Sequence, residues 1–336
     1  MQFSELPVQS LGAPMPTPPP DVRLDGDTLV IGDAHVSFHR TLRIPEHGVH
    51  ALPPGLGRFP LRRVADYPST APASWLAKGG IMLPVYQREA MWLSFDSAAP
   101  SALKVGVGKV CAVNGKPWSG FLSQDPQNYL ALPLQPWLDG INSGDGTVRQ
   151  FVAVRHGLGA TVEGQVTGEE AHGGVQLAAH MLTAQARAQW EKESRQRPPY
   201  DALVCGSAPP MSVDMGVGAG GTMRQEIYDD ERPMTDYESQ ETRVFVHLCS
   251  ASQWRAITGE QPPESPVSAR AYTEAGLPWF DYYDADAVDL LPSQSLAEVK
   301  PVGDWLGEDP DLEGLKQPTW VVPIGPDKNG APSSTP

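Results

Sequence analysis

The chain is short of cysteine, of positive charge and of long apolar runs, and each shortage removes a class of protein. Its three cysteines, Cys111, Cys205 and Cys249, are odd in number and far apart, which leaves neither a disulfide framework nor a CxxC metal site. Lys and Arg number 25 against 40 Asp and Glu, a formal net charge of −15. That balance opposes nucleic-acid backbones and anionic lipid, which need clustered Lys and Arg. The one locally basic stretch, Arg187 to Arg197, carries Glu191 and Glu193 as well. No apolar run approaches the roughly 18 residues of a membrane span. The N-terminal "MQFSELPVQSLGAPMPTPPPD" lacks the basic leader and apolar stretch of a secretory signal. Strands alternating with long helices, the mark of a doubly wound sheet, are missing too. The expectation is a reduced, cytoplasmic protein with no cofactor, no metal, no nucleic acid and no membrane partner.

What the chain does have is a 40% hydrophobic fraction, nine Trp, 35 Pro and 33 Gly in 336 residues. The first two argue for a packed core, and the last two for many short strands and turns. "TLVIG" and "HVSFHRTLRI" read as a hairpin across Asp33 and Ala34, with Val36 and Phe38 alternating against Ser37 and His39. Residues 79–96 read as two strands or one bent one, and "ALKVGVGKVCAV" (102–113) as a strand with Leu103, Val105 and Val107 on one face. "NYLALPL" (128–134), "VRQFVAV" (148–154), "TVEGQV" (161–166) and "GGVQLAA" (173–179) continue the pattern. The predicted fold is mainly β, an antiparallel sandwich or jelly-roll-like pair of sheets with short helical additions. Its organisation reads as a Pro-rich arm over 1–22, a β-sandwich region over 23–181 and a helix with a Pro/Gly linker over 182–221. Returning strands with C-terminal helices fill 222–310, before a polar tail over 311–336. Within these, "TMRQEIY" (222–228) and "TRVFVHLC" (242–249) read as strands, and "SASQWRAITG" and "SARAYTEAG" as short helices closed by Gly.

The blocks "PQNYLALPLQPWLDGI", "VRQFVAV", "MRQEIYDD", "WRAITGE" and "GLPWFDYYD" resemble those of an uncharacterised family found in bacteria and fungi. The likeness runs from about Arg40 to Asp284. It implies that the two strand regions belong together, with the helical stretch and both end segments as additions, and it carries no activity.

Several stretches raise chemistry and most fail on context. Gly216, Gly218 and Gly221 have the G-x-G-x-x-G spacing, yet no strand run precedes them, and "TMRQEIYDD" after them reads as a strand where a phosphate loop needs a helix. Ser101 and Lys104 match S-x-x-K, but in a strand they point to opposite faces. His247 and Cys249 share a strand face, as a thiolate pair would, although a small apolar Cys is the blander reading. His35, His39, His47 and His50 lie close in sequence without regular ligand spacing. "WFDYYDADAVD" offers Trp279, Phe280, Asp281, Tyr282 and Asp284, followed by Asp286 and Asp289. Aromatics among carboxylates suit an anchor on the sheets, or sugar binding and glycoside hydrolysis. Arg88, Glu89, Arg149 and Arg155 stand in otherwise apolar strands, where charges are rarely buried unless paired; a cleft, if present, is expected there.

The functional expectation is a non-catalytic binding or self-assembling protein, with a protein partner, self-association or an unidentified small ligand. A carbohydrate-active hydrolase or sugar-binding module using the acidic and aromatic residues is the alternative.

Overall fold

The computed structural model describes residues 22–53, 55–195, 215–264, 279–282, 289–290, 293–307 and 321–324; for 279–282 and 321–324 it describes the backbone. Seven strands precede the long central ones. They are β1 (Val22–Asp25), β2 (Thr28–Ile31), β3 (Ala34–Thr41), β4 (Val49–His50), β5 (Gly55–Arg58), β6 (Arg62–Arg63) and β7 (Ile81–Val85), with α1 (Ala73–Lys78) before the last. Then come β8 (Ala90–Ser97), β9 (Ser101–Val107), β10 (Val110–Cys111), β11 (Leu130–Leu132), β12 (Trp137–Leu138), β13 (Gly140–Gly144) and β14 (Thr147–Arg155). The order continues with α2 (Val162–Thr167), β15 (Val175–Met181), α3 (Ala184–Ser194), β16 (Met215–Arg224), β17 (Thr242–Ser250) and α4 (Ala251–Thr258). It closes with β18 (Trp279–Tyr282), α5 (Gln294–Ala297), α6 (Val302–Leu306) and β19 (Val321–Ile324).

The first seventeen strands pair in two groups. In sheet I the run β1, β2, β3, β8, β14, β16 is antiparallel throughout. In sheet II, β17 pairs with β15, β15 with β9, and β9 with β10 and β11, all antiparallel, while β7 joins β17 in parallel. The described strand pairing between the groups is one residue pair, Met215 opposite Leu248. Period-two alternation turns Val36 and Phe38 of β3 and Phe151 of β14 toward Val105 of β9, Leu177 of β15 and Val246 of β17, in one buried core. The fold is therefore the expected mainly β, sandwich-like class.

Helices cover the outer faces. On sheet I, Val302 of α6 is buried against Ala90, Val152 and Val154. Over one end of sheet II, Trp254 and Ile257 of α4 bury Met82 and Cys249. Helix α4 starts where Ser250 Oγ accepts from the Gln253 N–H, and it stops at Gly259 in the left-handed conformation (φ 74°). Helix α3 is held by the Thr183 cap and packs Ala186 with Tyr129, Leu182 and Tyr237 at the other end of sheet II.

Three readings need correction. "TVEGQV" is helix α2, because the Thr161 hydroxyl caps the Gly164 N–H and Gly168 ends the turn in the left-handed region; Val162 and Val166 imitated strand alternation. The strand expected over 222–228 ends at Arg224, and Tyr228 keeps one isolated pairing with Asp289. The linker expected up to 221 stops short of Met215, since 215–221 is the first part of β16; 196–214 lie outside the described residues. The glycines of that strand reflect close approach. A Cβ at Gly218 would sit 2.7 Å from Val302 Cγ2, and one at Gly221 would strike the Pro45 carbonyl. The G-x-G-x-x-G spacing thus belongs to a buried strand, with no helix after it to hold a phosphate. The helix expected over 268–276 lies outside the described residues.

Candidate functional site

Strand β17 alternates cleanly. Val244, Val246 and Leu248 enter the core, so Arg243, Phe245, His247 and Cys249 share the outer face of sheet II. Register then decides their neighbours. Arg243 lies opposite Ala178, which lies opposite Lys104, so a small side chain separates two cations in one row. In the next row Phe245 faces Gln176, and Gln176 faces Gly106. The position left open by Gly106 is filled by Trp118, whose ring a Cβ there would strike. The Arg243 guanidinium is sandwiched 5.4 Å from the Trp118 ring and 4.7 Å from the Phe245 ring. Lys104 Nζ approaches Trp118 at 4.8 Å. Lys78, at the end of α1, sits 5.9 Å from the Phe245 ring and 2.8 Å from His172 Nδ1. Beyond, His247 stacks on Trp75 at 4.7 Å.

Two cavities adjoin this face, the first reaching past Ile81 and Val244 to β1 of sheet I. One, of about 110 Å³, has Arg23, Arg63, Lys78 and Arg243 in its wall with Phe245; the other, of about 240 Å³, has Lys104, Lys116 and Trp118. Among the described residues neither wall contains a carboxylate. Acids stand at the edges: Asp66 lies 3.2 Å from Arg63, Glu241 lies 3.8 Å from Lys104, and Glu163 accepts from the His172 N–H at 2.9 Å and favours the charge on Lys78.

Titration follows this crowding. Burial pulls the Lys78 and Lys104 ammoniums below their ordinary range. Burial and then Lys78 depress His172. His247 is lowered to about 4, by burial first and then by the charges of Lys78 and His172. Two donors on this face, Trp118 Nε1 and Arg243 Nε, are buried and have no hydrogen-bond partner among the described residues. Among the described residues the cations on this face outnumber the acids beside them, Glu163 and Glu241.

The residues singled out from sequence go elsewhere. Glu89 does not meet Arg88 or Arg149. It is fully buried at the β7–β8 turn, bonded to Arg40, and its second oxygen accepts from the Tyr86 N–H at 2.8 Å. Arg88 occupies that turn with φ 65° and donates to the carbonyls of Leu306 (2.8 Å) and Gly307 (3.0 Å), which end α6. Arg149 donates to the Val299 carbonyl, and Arg155 is exposed. Consecutive residues at a turn diverge, so the four charges make no common cleft.

Trp279, Phe280, Asp281 and Tyr282 form β18, paired in parallel with β19; their side chains, like all of Asp284 and Asp286, lie outside the described residues. Asp289 is a peg. Its two oxygens accept from the N–H groups of Ile227 and Gly146, both at 2.9 Å. His47 and His50 meet each other, with His50 Nε2 2.8 Å from the His47 carbonyl, while His39 stacks on Trp92 at 3.9 Å. Among the described residues no group of three or more His, Cys, Asp or Glu is placed to hold a metal ion.

Lys104 is clamped by the carbonyls of Ser119 and Phe121, and Ser101 bonds Ser97 at 3.1 Å, so the S-x-x-K pair is divided. Cys249 is wholly buried beneath α4 and donates to the Leu83 carbonyl at 3.2 Å, which supports the small-apolar reading. Arg243, Phe245, Lys78 and Trp118 were missed. The R-V-F-V-H alternation of "TRVFVHLC" did signal the shared face of the first two, but α1 and the 116–121 loop reach it only through the fold.

No family model, no curated protein and no solved structure matches this chain. No helix among the described residues is long and apolar enough to cross a membrane.

Proposed function

We propose that the protein is a non-catalytic binding protein that holds a small anionic ligand on the outer face of sheet II. One observation carries this reading: among the described residues, four cations and no carboxylate line a single cavity in a chain whose formal charge is −15. Arg63 has Asp66 beside it and Lys78 has Glu163 nearby, but four like charges brought together with less counter-charge cost stability, and a bound anion reduces that cost. At about 110 Å³ the cavity falls below the roughly 300 Å³ of a site for a drug-sized molecule, so it takes an end group rather than a whole large ligand. The non-catalytic part is supported by the candidate nucleophiles, since Cys249 is covered and Lys104 is clamped. A reducing, cytoplasmic setting agrees with Cys111 and Cys249, both free and buried.

The test is thermal unfolding in inorganic phosphate against chloride of equal ionic strength. Phosphate raises Tm in the wild type, and the rise disappears in Lys78→Met and Arg243→Met. An unchanged wild-type Tm, or an equal rise in both variants, overturns the reading.

A further inference from the structure

The two cavities have no lining residue in common, but a residue of each wall meets the other. Trp118 lines the larger cavity, with Lys104 of the same wall 4.8 Å from its ring and Arg243 of the smaller cavity's wall 5.4 Å from that ring. Each cavity also holds one orphan donor: Trp118 Nε1 belongs to a residue lining the larger, and Arg243 Nε to a residue lining the smaller. A buried donor left unmade costs about 1–3 kcal/mol, and among the described residues these two have no acceptor. The same donor side chains are held rigid. Gly106 admits the Trp118 ring, and Arg243 is fixed between two aromatic faces with a hydrogen bond to Gln176 Oε1. Such a fixed guanidinium presents its remaining donors without further loss of side-chain freedom.

Resting on the anion-binding reading above, we infer that the two cavities are halves of one site for a small ligand carrying two or more linked oxyanion groups, one on each side of Trp118. The smaller cavity takes the first group among Arg23, Arg63, Lys78 and Arg243. The larger takes the second beside the exposed Lys116, whose ammonium is free to turn toward it, with the Trp118 N–H as a further donor. Lys104 contributes charge, since the Ser119 and Phe121 carbonyls already hold its protons. Linkage is what such an arrangement rewards. Once one group is seated, the second meets its cavity at an effective concentration in the millimolar range or higher, and affinity multiplies. An acidic chain also repels long polyanions over the rest of its surface, which restricts the site to short ones.

Calorimetric titration of the full chain with inorganic phosphate, linear tripolyphosphate and citrate tests this, at one ionic strength throughout. Tripolyphosphate or citrate is expected to bind one per chain and about tenfold or more tighter than phosphate. Lys116→Met is expected to remove that gain, so that tripolyphosphate and citrate bind no tighter than phosphate does. Lys192→Met, on the exposed face of α3, should change neither. Dependence of citrate rather than tripolyphosphate on Lys116 identifies the groups as carboxylates, and the reverse identifies them as phosphoryl groups. Equal affinity for phosphate and both oligoanions overturns the two-part site and leaves the single one. A gain that survives Lys116→Met, or that Lys192→Met reduces equally, shows general attraction and overturns it as well. Absence of any phosphate binding overturns the anion-binding reading itself.

Discussion

Arg40 and Arg243 both lie over two aromatic rings, yet the fold treats them in opposite ways. Arg40 sits 5.5 Å from Phe59 and 6.0 Å from Tyr86, is 1% exposed, and has Glu89 folded in beside it. The carbonyl of Glu264 takes one more of its protons at 3.1 Å. Arg243 has a neutral partner, Gln176, and further cations, Lys78 and Lys104, around the same rings. Where counter-charge is built into the chain, the cation serves the fold. Where it is withheld, the position is set for something that brings the charge with it.

The largest effect belongs to the compensated site. Removing one partner of a buried pair strands the other, so Glu89→Ala should cost about 3–5 kcal/mol in urea unfolding. The double change Arg40→Met with Glu89→Leu should recover most of that, because neither charge remains to be desolvated. A Glu89→Ala protein as stable as wild type would show that Arg40 is not held by this pair, and the contrast with Arg243 would fall.

The next effect reads the uncompensated face through its own proton. His247 is lowered to about 4 from an ordinary 6.5, so the folded protein keeps it neutral where the unfolded chain would charge it. Its neutral form therefore contributes fully above pH 6.5, and the contribution is lost as pH falls toward 4. Over that window wild type should lose up to about 3 kcal/mol relative to His247→Gln, taken as the difference in unfolding free energy at each pH. Buried Glu89 and Asp139, each pushed up to about 7, act in the opposite sense, but they are common to both proteins and cancel. A pH-independent difference would mean that burial does not hold His247 neutral in the folded protein.

The contrast between the two arginines also shows what was legible beforehand. Strands β3, β8, β9, β14 and β17 were readable, because alternation of large apolar with polar residues has one structural meaning on a half-buried sheet. Helix α2 was not, since six residues with valines four apart satisfy both periods and the cap at Thr161 decided the matter. The glycines of β16 carried no side-chain signal at all; their reason is the approach of Pro45 and Val302 from elsewhere in the chain. Glu89 was legible as a buried charge needing a partner, but the partner came from β3, across the Arg40–Met91 pairing of β3 with β8. The cationic face draws on α1, β9, β17 and the 116–121 loop. Net charge pointed away from it, because a total of −15 says nothing of where the few cations collect.

The smallest expected effect on stability is the one that separates the two arginines most sharply. Arg243→Met gives up two cation–π contacts, worth about 0.5–1 kcal/mol each at a partly exposed site, and one hydrogen bond to Gln176. Against this, the methionine keeps apolar packing between Trp118 and Phe245, and it relieves repulsion from Lys78 and Lys104. The net change in chloride should be about 1 kcal/mol or less by urea unfolding, well under the cost at Glu89. Phosphate then opens the difference. At a concentration ten times the dissociation constant, wild type gains about 1.4 kcal/mol by mass action, while a variant that no longer binds gains nothing. The gap between the proteins should therefore widen with phosphate and close again in its absence. A loss of about 3 kcal/mol or more in chloride alone would make Arg243 a structural cation like Arg40, whose missing counter-charge must then be found within the chain.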